Sequence, residues 1–392
     1  MSALHVAMLG TRGVPARYGG FETAVEEIGR RLVDRGHRVR VYCRTTGAAP
    51  PRTYRGMELV TLPAVRQRAL ETLSHTGVSV GHLLARRTDV ALVFNAANAM
   101  LLPVLRAAHV PVATHVDGLE WKRAKWAGAG RRYYRAAETA AVRWSDALIA
   151  DAVGIADYYR SEYGAPTTLL SYGAPVLPPQ EDEAVTAAGL VPGAFHLVVA
   201  RFEPENNVDL LVGGFVRSSA RMPLVVVGSA PYAQDYTARV HGLADGDPRV
   251  RFLGPVWDQR VLDQLYAHAL TYAHGHSVGG TNPSLLRAIG AGTAALAYDV
   301  PFNREVLGCD GVYLRTPGDV ARAFMAAVAD PEETRRRGRR LRERARTYDW
   351  DTVADGYEHL VEALAAHRVA GPVHGARRLR GRSAGSDLAV SA

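Results

Sequence analysis

The chain alternates short, continuously apolar segments with segments of helical periodicity, and this alternation starts a second time after a break. In the first half, the predicted strands are Leu4–Leu9, Arg38–Cys43, Glu58–Leu62, Val90–Phe94, Pro111–His115, Ala147–Ala150 and Thr167–Ser171. Between the first two, Phe21, Val25, Ile28 and Leu32 form one apolar stripe at helical spacing. Apolar strands separated by helices predict a parallel sheet that is covered on both faces.

The break is residues 174–184, APVLPPQEDEA, which combine prolines with acids and show no periodicity, as a linker does. After it the predicted strands are Phe195–Ala200, Leu224–Val227, Val250–Leu253, Leu270–Ala273 and Ala294–Tyr298. A chain of 392 residues is long for a single core. We therefore predict an α/β architecture of two facing, Rossmann-like, doubly wound parallel-sheet domains with a cleft between them. The predicted units are residues 1–175, residues 176–348, a helix at 349–368 that crosses back, and a disordered tail at 369–392.

The formal net charge of +8 is concentrated outside these elements, because about half of the excess lies in the arginine-rich tail. No stripe of basic and aromatic residues of the kind that binds single-stranded nucleic acid is present, so we expect no nucleic-acid partner. No stretch approaches about 18 consecutive apolar residues, and the start does not resemble a signal peptide. We expect a cytoplasmic protein, with peripheral contact at the inner membrane face as an alternative.

Two glycine-containing loops precede predicted helices at the carboxyl ends of strands, where parallel sheets bind ligands. Residues 10–22, GTRGVPARYGGFE, fit neither the dinucleotide-binding GxGxxG spacing nor the P-loop pattern. In residues 274–288, HGHSVGGTNPSLLRA, Gly279 and Gly280 come before the N-cap candidates Thr281 and Asn282, and Pro283 suits a first helical turn. Each loop fits an anion-binding helix start, and each also fits a purely structural turn or cap.

Two further loops carry charged and aromatic side chains. In residues 200–208, ARFEPENNV, Arg201 fits a clamp for a diphosphate or an ordinary surface pair with Glu203 or Glu205. In residues 114–126, THVDGLEWKRAKW, His115 and Asp117 fit contacts to sugar hydroxyls, although a histidine at a strand end is often structural. The basic and aromatic residues that follow fit an acceptor or a membrane surface.

No group of residues has metal-ligand spacing. Asp245-Gly246-Asp247 resembles a metal-binding DxD, but it precedes Pro248 between a helix and a strand, at the wrong end for the cleft. Cys43 and Cys309 stand apart. We predict no metal and no other cofactor.

Together, GTRGVPARYGGFE, HVDGLEWKRAKW, ARFEPENNV and GGTNPSLL resemble the retaining glycosyltransferase family 4, over roughly residues 4–365. They are most similar to its rhamnosyltransferase-like subgroup. The resemblance implies a GT-B fold, retention of anomeric configuration, independence of metal, and a dTDP-activated 6-deoxyhexose donor. It implies as acceptor a hydroxyl of a lipid-linked glycan precursor or of a secondary metabolite.

The resemblance also assigns residues. It implies catalytic roles for His115, Asp117 and Gly20, and acceptor binding by Arg17, Tyr18, Trp121, Lys122 and Arg123. It implies donor binding by Gly19, Gly20, Arg201, Asn206, Gly228, Val256, Gly279, Gly280, Thr281, Asn282, Pro283, Ser284 and Arg287.

The chain departs from the family pattern at three positions. The family's Glu-x7-Glu falls on Gly279 and Arg287, and its lysine five residues after the arginine is Asn206. An arginine has no acceptor for ribose hydroxyls, although Arg287 would add positive charge near the phosphates. Two alternatives therefore stay open: a non-catalytic sugar-nucleotide-binding partner subunit, and a GT-B relative with epimerase or phosphorylase chemistry. The phosphorylase is disfavoured because its cofactor needs a lysine, and Lys122 and Lys125 lie in the first domain.

Overall fold

The computed structural model describes residues 3–16, 19–45, 51–65, 67, 70–116, 118–123, 126, 128–230 and 233–369. Arg17, Tyr18, Asp117, Lys125 and the tail from residue 370, all named in the predictions above, lie outside the described residues. No helix in the described part of the chain is long and apolar enough to cross a membrane.

The described residues form two sheets, one in each half of the chain. The first has the strand order β3-β4-β2-β1-β5-β6-β7-β8 and is parallel except for the antiparallel pair β3–β4. Its strands are β1 His5–Leu9, β2 Arg38–Arg44, β3 Thr53–Tyr54, β4 Met57–Leu62, β5 Val90–Phe94, β6 Val112–Val116, β7 Ala147–Ala150 and β8 Thr168–Leu169. The second sheet has the order β11-β10-β9-β12-β13-β14 and is parallel throughout. Its strands are β9 His196–Val199, β10 Leu224–Val227, β11 Val250–Gly254, β12 Thr271–His274, β13 Ala294–Tyr298 and β14 Val312–Leu314.

Two doubly wound sheets were predicted, and this prediction is confirmed. Strands β3 and β14 were not predicted, because two and three residues are too few to show a period. Strand β3 makes the first sheet mixed instead of purely parallel.

Helices connect most of the strands. They are α1 Gly20–Asp34, α2 Glu71–Ala85, α3 Leu102–Ala107, α4 Ala129–Trp144, α5 Val153–Tyr163, α6 Glu183–Ala187, α7 Val208–Val216, α8 Gln234–Leu243, α9 Gln259–His268, α10 Pro283–Ala291, α11 Pro301–Leu307, α12 Pro317–Ala329, α13 Pro331–Ala345 and α14 Trp350–Ala365. Short 3-10 helices lie at Ala96–Leu101, Glu120–Lys122, Pro204–Asn206, Gly308–Asp310 and Arg346–Tyr348. The predicted stripe on α1 faces the core, since Val25, Ile28 and Leu32 are buried.

The strand orders decide where a ligand can bind. Strand β1 lies between β2 and β5, and β9 lies between β10 and β12, so the chain winds outward in opposite directions from both central strands. Loops diverge at such a switch point and leave a crevice at the carboxyl edge of the sheet. The loops after β1, β9 and β12 are therefore placed where a crevice forms.

The last helix, α14, returns to the first half of the chain and packs on α1. Its buried face includes Trp350 and Tyr357. At the solvent edge, Arg31 Nε donates to Asp351 Oδ1 over 2.6 Å, and Arg35 Nη1 donates to Glu358 Oε2 over 2.8 Å.

Candidate functional site

Two helix starts face each other where the halves of the chain meet. Helix α1 begins at Gly20 and helix α10 at Pro283. A Cβ added to Gly20 would lie 3.3 Å from Cγ of Pro283 and 3.2 Å from the hydroxyl of Tyr172. Both helix starts carry partial positive charge from their N–H groups. The boundary between the halves therefore brings two helix N-termini close together, and the carboxylate of Glu22 lies beside the start of α1.

The glycine loop before α10 packs directly on the first half of the chain. Gly118, in the loop after β6, lies so close that a Cβ there would come within 3.0 Å of the backbone of Gly279. Gly280 lies against the carboxylate of Asp151, and Thr281 Oγ1 donates to the main-chain oxygen of Asp151 over 2.7 Å. Two backbones can approach this closely only where side chains are missing. Thr281 thus joins the two halves in this structure.

The first turn of α10 is capped by its own residues. The N–H and the hydroxyl of Ser284 both donate to Oδ1 of Asn282, over 3.0 and 2.6 Å. The Ser284 N–H, which was expected to face a ligand, is therefore bonded to the N-cap side chain in this structure. Gly19 holds the equivalent position before α1, with φ at 110° and no side chain to act as a cap.

The loop after β9 is tied to this glycine loop. Asn207 Nδ2 donates to the main-chain oxygen of Gly275 over 2.8 Å and to Oγ of Ser277 over 2.9 Å. Asn206 is buried, and its Nδ2 donates to the main-chain oxygen of Arg201 over 2.7 Å. The Asn206 side chain therefore stabilises the loop in this structure. Donor binding would require the same side chain to reach outward.

Arg201 keeps a side chain that is 47% exposed, and its Nη2 lies 3.5 Å from Oε2 of Glu203. Nη1 of Arg123, from the first half of the chain, lies 3.6 Å from Oε1 of Glu205. Burial first, and then the charges of Arg201 and Arg123, lower the pKa of His276 to about 3. His276 belongs to the glycine loop, so cationic side chains from the two halves flank that loop.

His115 lies in an aromatic enclosure. Its ring centroid is 5.1 Å from that of Phe21, 5.7 Å from that of Phe94 and 6.1 Å from that of Tyr172. Complete burial lowers the pKa of His115 to about 3, so its imidazole is neutral near pH 7. A neutral ring can exchange hydrogen bonds with a sugar hydroxyl but supplies no positive charge.

Arg287 turns to a neighbouring helix. Its Nε and Nη2 donate to the two carboxylate oxygens of Asp263, over 2.5 and 3.0 Å. This bidentate pair offsets the charge of the guanidinium in this structure, and the role of Arg287 toward a donor stays a prediction.

Gly228 and Val256 follow β10 and β11 at the same sheet edge. Gly228 has φ at 140°, and a Cβ there would lie within 3.0 Å of the main-chain oxygen of Ala200. Val256 packs at the rim of the core. A structural reason alone accounts for Gly228, and its role toward a nucleobase stays a prediction.

The predicted acceptor residues Trp121 and Lys122 lie together on the first half. Nζ of Lys122 is 5.5 Å from the Trp121 ring centroid, and the guanidinium carbon of Arg135 is 4.4 Å from it. Arg123 follows directly and bridges to the second half.

Two acidic groups lie away from this edge. Asp247, in the DxD-like turn, pairs with Arg249 over 2.6 Å, and this hydrogen bond lowers the pKa of Asp247. His37, Glu358 and Glu362 come together, but His37 precedes β2 and thus lies at the amino end of that strand. Nε2 of His37 is 3.0 Å from Glu358, and its Nδ1 accepts the N–H of Leu4 over 3.3 Å. Since both ring nitrogens are occupied, these residues tie α14 to the first half.

Three residues at the boundary were not predicted. Asp151 directly follows β7 and is buried against the glycine loop, and its position after a strand could have revealed it. Tyr172 reaches both Gly20 and His115, and Glu305 accepts the N–H of Val153 with both carboxylate oxygens, over 3.2 and 3.0 Å. Nothing in the local sequence marks either of these.

Comparison with family models agrees with this two-part arrangement. Residues 19–173 match the glycosyl transferase 4-like domain, and residues 195–330 match the glycosyl transferases group 1 domain. The two matches together cover well over half of the chain. The chain is a glycosyltransferase of the GT-B type. A sequence search of curated proteins finds no match to it.

This glycosyltransferase shares its fold with solved structures of low sequence identity. The sucrose-phosphate synthase from Thermosynechococcus elongatus is 21% identical with a TM-score of 0.80, covering 93% of this chain and 100% of that one. Anabaena HepE in complex with UDP-glucose is 16% identical with a TM-score of 0.75, covering 92% and 100%. A UDP-forming α,α-trehalose-phosphate synthase from Burkholderia xenovorans, in complex with glucose-6-phosphate, is 12% identical with a TM-score of 0.69, covering 92% and 100%.

Proposed function

We propose that this glycosyltransferase moves a sugar from a nucleoside diphosphate donor to an acceptor hydroxyl with retention of anomeric configuration. The observation that carries the proposal is the meeting of the α1 and α10 starts, at Gly20 and Pro283, together with the charges of Arg201 and Arg123 that act on His276 in the loop before α10. Converging helix N-termini and guanidinium groups favour a group with the charge of a diphosphate.

The proposed chemistry needs few acids or bases from the protein. The acceptor hydroxyl attacks the anomeric carbon on the face that the diphosphate leaves, and a leaving phosphate oxygen takes the hydroxyl proton. The main contribution of the chain is to hold the reactants and to stabilise the departing negative charge. The helix starts and arginines supply that stabilisation in this proposal, which therefore assigns no role to a metal or other cofactor. The neutral His115 ring would orient the donor sugar.

For the donor we keep the prediction of a dTDP-linked 6-deoxyhexose. In support, the acid that would accept hydrogen bonds from ribose hydroxyls is replaced by Arg287, which pairs with Asp263. Deoxyribose presents one hydroxyl fewer, so it leaves less to satisfy. The structural neighbour HepE has UDP-glucose bound, which makes UDP the competitor to test.

The test is a thermal-shift series with dTDP, UDP and GDP, followed by a release assay with the corresponding sugar nucleotides. We expect the largest shift with dTDP and slow release of dTDP from its sugar nucleotide. A larger shift with UDP would overturn the thymidine donor while leaving the transferase in place. The absence of any shift would overturn the proposed function itself.

A second candidate is a sugar-nucleotide-binding subunit without catalysis. The close packing of Gly118 on Gly279 favours it, because that contact narrows the boundary where the donor sugar would lie. Nucleotide binding without measurable sugar release or transfer, also with a range of acceptors, would select this candidate.

A further inference from the structure

The exposed face of α4 carries an open groove lined by arginines. Arg131, Arg132 and Arg135, together with Ala136 and Thr139, line a volume of about 430 Å³ that is open to solvent. Arg131 and Arg132 belong to the first turn of the helix, where the helix dipole adds to their positive potential.

The charge of this groove is not neutralised by its own helix. The one acid on α4, Glu138, is buried and accepts hydrogen bonds from Tyr158 over 2.9 Å and Tyr163 over 3.1 Å. Burial raises the pKa of Glu138, which further weakens it as a counter-charge. Arg131 and Arg132 are exposed and have no ion pair within the described part of the chain.

A second arginine-rich helix, α13, behaves differently. There Arg336, Arg337 and Arg340 all pair with Glu333, over 2.9, 3.3 and 3.2 Å. Such a self-paired helix is an ordinary solvated surface. The contrast indicates that the unpaired arginines of α4 are available to an external anion.

Arg135 is held in position before any ligand arrives. Its guanidinium carbon lies 4.4 Å from the Trp121 ring centroid, and its Nη1 donates to the Tyr158 hydroxyl over 3.3 Å. Its nearest carboxylate, on Glu162, is 3.9 Å away. A fixed guanidinium loses little conformational entropy when it binds an anion.

The groove adjoins the acceptor side of the proposed site. Trp121, which Arg135 covers, lies two residues before Arg123, and Arg123 reaches Glu205 of the second half. An anion in the groove would therefore lie on the side of the first half that carries the predicted acceptor residues.

We propose that the α4 groove binds a phosphate or diphosphate group carried by the acceptor, so that the acceptor is a phosphorylated compound. Guanidinium groups bind phosphate oxygens in a bidentate manner, and three of them match the charge of a phosphate dianion or a diphosphate. This inference rests on the proposed function, since it names the class of acceptor for the same site.

The experiment uses inorganic pyrophosphate as the probe. The full chain is first saturated with the nucleoside diphosphate that gives the largest thermal shift, which fills the donor position, and pyrophosphate is then titrated by calorimetry. We expect a second, saturable site that weakens at least tenfold in the double variant Arg131→Ala/Arg132→Ala. The matched control, Arg217→Ala/Arg221→Ala, removes two exposed arginines of the second half and should bind as the unmodified protein does.

Several outcomes would overturn the inference. These are no second site, equal weakening in the control, or unchanged pyrophosphate binding in the Arg131→Ala/Arg132→Ala variant. Sedimentation with phosphatidylglycerol and phosphatidylcholine vesicles, run in parallel, tests whether the groove binds a membrane surface instead. Vesicle binding that depends on Arg131 and Arg132, in the absence of a pyrophosphate site, would also overturn the inference. Failure of the proposed function would appear earlier and separately, as the absence of nucleoside diphosphate binding.

Discussion

Replacing Arg201 by alanine tests the diphosphate site, and the expected size of the effect follows from the surroundings of this residue. The side chain is 47% exposed, and Oε2 of Glu203 is 3.5 Å from its Nη2, so the guanidinium can turn toward a ligand without breaking a short bond. A hydrogen bond to a charged group contributes about 1.5–3 kcal/mol, and water at a half-exposed site reduces this to about 1–2 kcal/mol. Arg201→Ala should therefore raise the Kd of the nucleoside diphosphate about 5–30-fold.

Calorimetric titration of the nucleoside diphosphate and of the nucleoside alone measures this. The loss should be confined to the diphosphate, because the proposed contact is to phosphate oxygens. Arg336→Ala is a close control, since Arg336 is 49% exposed and pairs with a single carboxylate, that of Glu333, over 2.9 Å. Unchanged diphosphate affinity in Arg201→Ala, or an equal loss for the nucleoside, would refute the assignment of Arg201.

Three further predictions concern stability. Gly228→Ala should cost more than about 3 kcal/mol in the free energy of unfolding, because the added Cβ meets a main-chain oxygen. Gly246→Ala, also at positive φ but in open space, should cost about 1 kcal/mol. Urea unfolding compares the two variants, and equal costs would contradict the close approach at Gly228. Burial lowers the pKa of His196 to about 3, below that of an unfolded histidine, so its neutral form stabilises the fold above about pH 6.5 and this contribution is lost as pH falls. Between pH 7 and 5 the His196→Gln variant should therefore lose about 2 kcal/mol less in the free energy of unfolding than the unmodified protein. An unchanged pH dependence would argue against a neutral buried ring. Glu305→Ala removes the acceptor of the Val153 N–H at the start of α5 and should cost about 0.5–2 kcal/mol in the free energy of unfolding. We also expect a larger radius of gyration by X-ray scattering, because the two halves of the chain separate. Unchanged stability and radius of gyration would show that this contact does not hold the two halves together.

Long, regular features of the fold were predictable from the sequence. Apolar strands such as Val90–Phe94 and the stripe on α1 show their period over enough residues to be recognised. Short β3 and β14 show none, and pairing with a neighbouring strand alone makes them strands. The same limit explains why the mixed character of the first sheet was missed.

For the candidate site, the sequence predicted the loops but not the partners of their side chains. Gly279, Gly280 and Arg201 lie on the expected carboxyl edges because strand order places them there. The pairing of Arg287 with Asp263 joins residues on two helices, and no local pattern connects them. Contacts between the halves, such as Thr281 with Asp151, depend equally on tertiary packing.

The most direct test of the donor site is a crystal structure of the full chain with the nucleoside diphosphate that binds best. We expect its diphosphate at the boundary between the starts of α1 and α10, with Arg201 in contact and Gly118 moved away from Gly279 to make room. A nucleotide bound elsewhere, for example at the α4 arginines, with Gly118 still packed on Gly279, would contradict this expectation.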